Sequence, residues 1–143
     1  MIMKRKFFFK SIVALCILLM VYTATSKLFS LTGFVSVLKQ SPLLHSFATL
    51  IGWLVPFAEL LVAGLLFFPA TQKKGLACFI LLLLVFTIYI IVMLSISSKL
   101  PCSCGGVIKL LSWKQHLVFN IFFILLGITG LYTIKREEAE NLK

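Results

Sequence analysis

The stretch GLACFILLLLVFTIYIIVMLSIS, from Gly75 to Ser97, carries no charged residue. At 1.5 Å of rise per residue, a helix of about 20 apolar residues spans the roughly 30 Å hydrocarbon core of a bilayer. Three further runs of the same kind lie at about Ser11 to Ser30, His45 to Phe68 and Ser112 to Ile134. The sequence therefore predicts an all-α integral membrane protein, a four-helix bundle forming one transmembrane domain over residues 1–143. Composition points the same way. Of the 143 residues, 61% are hydrophobic and 13% charged, mean hydropathy is +1.11, and soluble domains average only about 45 to 50% apolar residues. The lipid bilayer is the first expected partner.

A formal net charge of +10 raises the question of nucleic acid. The basic residues are scattered through connections and tails, without aromatic interleaving on a folded surface, so no nucleic-acid partner is expected. They read instead as topology signals. Lys4, Arg5, Lys6, Lys10, Lys73, Lys74, Lys135, Arg136 and Lys143 fall on one side of the spans, and only Lys27, Lys39, Lys99, Lys109 and Lys114 on the other. The positive-inside rule then places both termini in the cytoplasm. The Cys102 connection then falls outside, in a periplasmic or extracytoplasmic space where disulfides persist.

The connections are short and the chain shows no internal repeat. Leu31 to Pro42 is apolar but broken by Gly33 and Pro42, and reads as a short external helix or loop at the interface. Pro56 removes a backbone donor inside the second span and is expected to bend it, with neighbouring groups satisfying the freed carbonyl. Pro69 to Lys74 is a short turn, and Glu137, Glu138 and Glu140 read as a solvated tail. Lys4-Arg5-Lys6 before an apolar run also has the order of a signal peptide. The run continues to about Leu31 without a clean Ala-x-Ala site, so it is read as a retained span.

The chemistry concentrates in Pro101-Cys102-Ser103-Cys104-Gly105-Gly106. Two cysteines one residue apart form a disulfide when the backbone turns sharply, and the flanking proline and glycines permit such a turn. A small, strained ring is labile, and labile disulfides are the exchanging ones. Lys99 and Lys109 nearby favour the thiolate. A stable bridge that pins a loop, or a metal site, remains open on the same residues. Cys16 and Cys78 lie inside spans and read as small buried apolar residues.

Trp113, His116 and Asn120 recur at spacings of three and four, so they share one face of the fourth span, starting beneath the cysteine pair. His116 suits proton transfer and Asn120 suits orienting a ligand or bonding to another helix, while Trp113 also reads as an interfacial anchor. Glu59 is the acidic residue deep in a span, and a group at that depth implies a partner or a site. Lys27 lies near the outer end of the first span. Helical rise separates the two by about 10 Å along the membrane normal, so a direct pair needs tilt, a kink or a long reach. Tyr22, Thr23 or Asn120 are alternative partners for a protonated Glu59.

Together, a first span ending in Ser26-Lys27-Leu28, a second carrying Pro56-Phe57-Ala58-Glu59-Leu60, and a late Cys-x-Cys-Gly-Gly followed by Ser112-Trp113 and Asn120 resemble the methylamine utilisation protein MauE family. This family belongs to the wider DoxX-like group, and the resemblance runs from about Phe9 to Tyr132. It implies a four-helix membrane bundle, similar in outline to vitamin K epoxide reductase-like proteins. It also implies a role in maturing a disulfide-containing protein, as in methylamine dehydrogenase biogenesis, alongside a periplasmic thioredoxin-like partner. Cys102 and Cys104 are then the redox pair. Quinone-coupled disulfide generators commonly use two cysteine pairs, and this chain departs from them in having one external pair, which limits that analogy. A quinone cofactor here requires direct electron handover from Cys102 or Cys104 to a quinone under the loop, lined by His116 and Trp113. Two other readings stand beside this thiol:disulfide oxidoreductase: a soft-metal carrier using Cys102, Cys104 and His116, and a non-catalytic DoxX-like subunit of a membrane oxidoreductase.

Overall fold

The computed structural model describes residues 2–96 and 113–142. Cys102, Cys104, Lys99 and Lys109 lie outside the described residues, as does the side chain of Trp113. The elements are α1 (Ile2–Phe29), α2 (Leu31–Gln40), α3 (Ala48–Phe67), α4 (Gln72–Ile96) and α5 (Trp113–Asn141), with single 3₁₀ turns before α3 and before α4. Four of these helices, all but α2, are long and apolar enough to cross a membrane. The sequence of α4 includes Ile, Val and Thr, β-branched residues that are mediocre helix formers in water. In hydrocarbon the backbone must satisfy its own hydrogen bonds, and that requirement overrides side-chain propensity. Hydroxyls follow the same rule. Thr23 donates to Leu19 O at 2.9 Å, Thr87 to Leu83 O at 2.6 Å and Thr129 to Leu125 O at 2.8 Å, each one turn back along its own helix.

The polarity of the bundle is reversed relative to a soluble protein. Its outer faces carry Leu18, Leu54, Phe57, Leu61, Leu81, Ile88, Val118 and Phe122, all exposed, a surface that suits lipid and would aggregate in water. Buried inside are Thr23, Lys27, Glu59, Thr87, His116 and Asn120, above an apolar core of residues such as Ile12, Cys16, Leu66, Leu76 and Phe79. Because lipid tails are as apolar as leucine, association of the helices depends on close packing and interhelical hydrogen bonds.

The four long helices run alternately up and down and pack as a ring, α1 against α3 and α5, and α4 against α3 and α5. Ile12 and Leu76, early in α1 and α4, meet Gly130, late in α5. At that end Arg5 pairs with Glu140 at 3.3 Å, Glu140 with Arg136 at 3.3 Å, and Lys73 with Glu138. Both chain ends and the α3–α4 turn therefore share one end of the bundle. Glu137, Glu138 and Glu140, expected in a solvated tail, belong to α5, which runs through Asn141; Glu138 and Glu140 stay exposed and pair with basic residues of α1, α4 and α5 itself. Such exposed pairs contribute about 0 to 1 kcal/mol each. A second difference concerns the two cysteines within the spans: Cys16 is buried, but Cys78 lies exposed on the outer face of α4. Helix periodicity turns it toward lipid, where a small apolar side chain is equally at home.

At the opposite end, Leu31, Phe34, Val35 and Leu38 form one apolar stripe of α2 and pack on Ala48, Ile51 and Val55 of α3. The segment open between helix and loop in the sequence is thus helical. Gly52 permits its close approach, since a Cβ there would lie 2.5 Å from Val35 Cγ2. The Ser41 hydroxyl, at the end of α2, donates to Met93 Sδ of α4 at 3.5 Å. α3 continues through Pro56, which cannot donate to the carbonyl of Gly52.

Among the described glycines, Gly75, in the first turn of α4, makes the tightest approach to backbone: a Cβ there would sit 2.9 Å from Leu66 N and 3.0 Å from Leu65 C. Backbone cannot swing aside as a side chain can. Gly75→Ala is expected to destabilise the bundle by about 1–3 kcal/mol, the usual cost of overpacking. Thermal unfolding in detergent reads this directly, and an unchanged midpoint would show that the turn relaxes.

Candidate functional site

The buried positions of α1 (Phe9, Ile12, Val13, Cys16, Leu19, Met20, Thr23, Ala24 and Lys27) recur at helical spacing along one face. Lys27 is the last member of the stripe that makes the core, so the helix has no choice but to turn its ammonium inward. In α3 the inner face runs through Ala48, Gly52, Pro56, Glu59, Val62, Ala63 and Leu66. Glu59 is on it for the same reason. Lys27 Nζ donates to Glu59 Oε1 at 2.7 Å, with the two residues only 3% and 6% exposed.

The rise along the helices separates these residues, yet they meet. In any α-helix the Cα–Cβ bonds tilt toward the N-terminus. On antiparallel neighbours the tilts are opposed, so the Lys27 side chain leans down α1 while Glu59 leans up α3. Added to the length of both side chains, this lean closes the gap, and the alternative of a Glu59 bonded to Asn120 is not adopted. Two rings complete the surroundings of the ammonium, Phe34 of α2 at 5.9 Å and Phe86 of α4 at 5.8 Å from centroid to Nζ. Their negative faces stabilise a cation that has left water. Helix α2 thus caps the pair as well as the bundle.

His116 and Asn120 bring α5 to the same place. The His116 ring stands edge-on to Phe86 with centroids 5.6 Å apart. Asn120 Nδ2 donates to Thr87 Oγ1 at 3.3 Å, and so ties α5 to α4. Between the four helices a cavity of about 100 Å³ is lined by Thr23, Lys27, Glu59, Phe86, His116 and Asn120, with Leu19, Leu83 and Phe119 among its apolar walls. Among the described residues, Glu59 Oε2 and both ring nitrogens of His116 are buried without a hydrogen-bond partner. An unpaired polar atom in such a place is costly, and these three atoms mark the polar part of the cavity.

Of the residues singled out in the sequence, the structure gathers Lys27, Glu59, His116 and Asn120 around one cavity. Cys102 and Cys104 lie outside the described residues, in the connection between the end of α4 and the start of α5. Phe34, Phe86, Thr87 and Phe119 were missed. Phe and Thr inside apolar helices look like any other packing residue, and the signal that finds them is position: Thr87 continues the buried 3–4 spacing of Leu76, Phe79 and Leu83 in α4.

Neither the curated proteins nor the solved structures contain a match to the chain. The profile of the methylamine utilisation protein MauE family matches residues 4–133, which takes in α3 and α4, most of α1 and α5, and the Cys-x-Cys connection. With a match over most of its length, and four helices able to cross a bilayer in the order that the motifs require, this multi-pass membrane chain belongs to the MauE family.

Proposed function

We propose that the protein is a thiol:disulfide redox component of the bacterial inner membrane, in which Cys102 and Cys104 exchange electrons with a periplasmic thioredoxin-like protein or mature a disulfide-containing one. The observation that carries this reading is the Cys-x-Cys pair between α4 and α5. The helix ends that bracket it lie away from the basic, salt-bridged end that holds both termini. The positive-inside rule makes that basic end cytoplasmic, which leaves the pair in an oxidising compartment. Membership of the MauE family supports the same role.

In exchange, a thiolate of one protein attacks a sulfur of the other's disulfide, giving a mixed disulfide and releasing a thiolate. The neighbouring cysteine then attacks the mixed disulfide and frees the partner. With Cys104→Ser the resolving step is lost, so a partner is expected to accumulate as a mixed disulfide with Cys102. Thiol trapping in intact membranes tests this. Interchange between oxidised and reduced forms in the wild type, with an adduct in the variant, supports the reading. A permanently oxidised pair without an adduct indicates a structural bridge. A reduced pair shielded by metal indicates a soft-metal carrier.

A further inference from the structure

The cavity between Lys27, Glu59 and His116 has a composition that selects a ligand. It lies among membrane-spanning helices with mostly apolar walls, and it reaches the outer surface of α4 at Val85, which is 59% exposed. Its occupant can therefore enter from the lipid and carry an apolar body. Lys27 and Glu59 already balance one another at 2.7 Å, so an added ion would find no counter-charge. The occupant is neutral. Its polar part must meet Glu59 Oε2, an acceptor, and His116, whose neutral ring offers one donor and one acceptor, neither of which has a partner among the described residues. Phe86 and Phe119 present aromatic surface beside these atoms.

We infer that this cavity binds the ring of a membrane-dissolved quinone, with His116 hydrogen-bonding a ring oxygen and the tail leaving past Val85. A quinone oxygen accepts a hydrogen bond as a carbonyl and donates one as the hydroxyl of the quinol. His116 can match either form by exchanging tautomers, and Glu59 Oε2 can accept from the hydroxyl. The binding follows from the cavity. Use of the quinone as an oxidant rests on the thiol:disulfide reading: closing the Cys102–Cys104 bond from two thiols releases two electrons and two protons, and reduction of a quinone to a quinol takes up both.

The test is photolabelling of the full-length protein in lipid nanodiscs with a short-tailed azido-benzoquinone, in a Cys102→Ser, Cys104→Ser background, so that binding is read without thiol chemistry. Saturable labelling of peptides from α4 or α5, competed by unlabelled decylubiquinone, is expected. His116→Phe, which keeps the ring shape and removes both nitrogens, should weaken binding about tenfold, the loss of one good hydrogen bond. Val85→Trp, at an exposed position that leaves the core intact, should weaken it by blocking the mouth. Labelling that does not saturate, or that both folded variants retain, would mean that the cavity holds water alone and would overturn the inference. Quinone binding without thiol exchange in the native chain would instead reject the redox reading and leave the site standing.

Discussion

Lys27→Met is expected to destabilise the folded bundle by about 3–5 kcal/mol, the usual cost of removing one partner from a buried ion pair. The variant leaves the Glu59 carboxylate 6% exposed among apolar side chains, with Oε2 already unpartnered among the described residues and Oε1 stripped of its donor. At 3% and 6% exposure, water screens little of this interaction. Glu59→Gln should cost less, because an amide oxygen still accepts from Lys27 and the rings of Phe34 and Phe86 still flank the ammonium. The double replacement Lys27→Met, Glu59→Leu should recover most of the loss, since a packed apolar pair of similar volume is often neutral or better. Thermal unfolding of these proteins in one detergent, with the single variant Glu59→Leu added, closes the cycle. Additive losses would show that the two residues act independently and that the 2.7 Å contact is not the source of stability.

Replacing either Cys102 or Cys104 with Ser should reduce thiol exchange with a thioredoxin-like protein to background while leaving the unfolding midpoint near that of the wild type. Exchange needs one sulfur to form the mixed disulfide and a second to resolve it, so each cysteine is indispensable and the two losses are not additive. Stability has a different source. The core residues of α1, α3, α4 and α5 bury one another. Cys16→Ala and Cys78→Ala should both retain exchange, the first sulfur being enclosed in the core and the second facing lipid. Exchange assays in proteoliposomes, with melting curves on the same samples, measure both quantities. Full activity in either the Cys102 or the Cys104 variant would reject the redox role of the pair.

Lys27 and Glu59 supply the polar, charge-neutral part of the interior, and α2 covers them through Phe34, which joins Leu38 and Ala48 in a small core of its own. A change at the pair therefore tests the α2 cap as well as the contact between α1 and α3.

Hydropathy and periodicity are local properties, and they carry most of the architecture. Four long apolar runs fix four spanning helices, because a backbone in hydrocarbon has no other way to pair its polar groups. The 3–4 spacing through Cys16, Met20 and Thr23 turns Lys27 to the inside before any neighbour is known. The Cys-x-Cys-Gly-Gly motif, with the order of the others, was sufficient to suggest the family that the profile match establishes. What depends on distance between helices was not legible. Rise alone separated Lys27 from Glu59, and only the opposed lean of side chains on antiparallel neighbours brings them to 2.7 Å. The last turns of α5 read as a solvated tail, and only the bundle brings Arg5 and Lys73 to Glu140 and Glu138. Phe34, Phe86 and Thr87 acquire meaning through what stands opposite them, an ammonium or an amide. A sequence sets which face of each helix is inward, but the meeting of two inward faces is decided by the packing of the bundle.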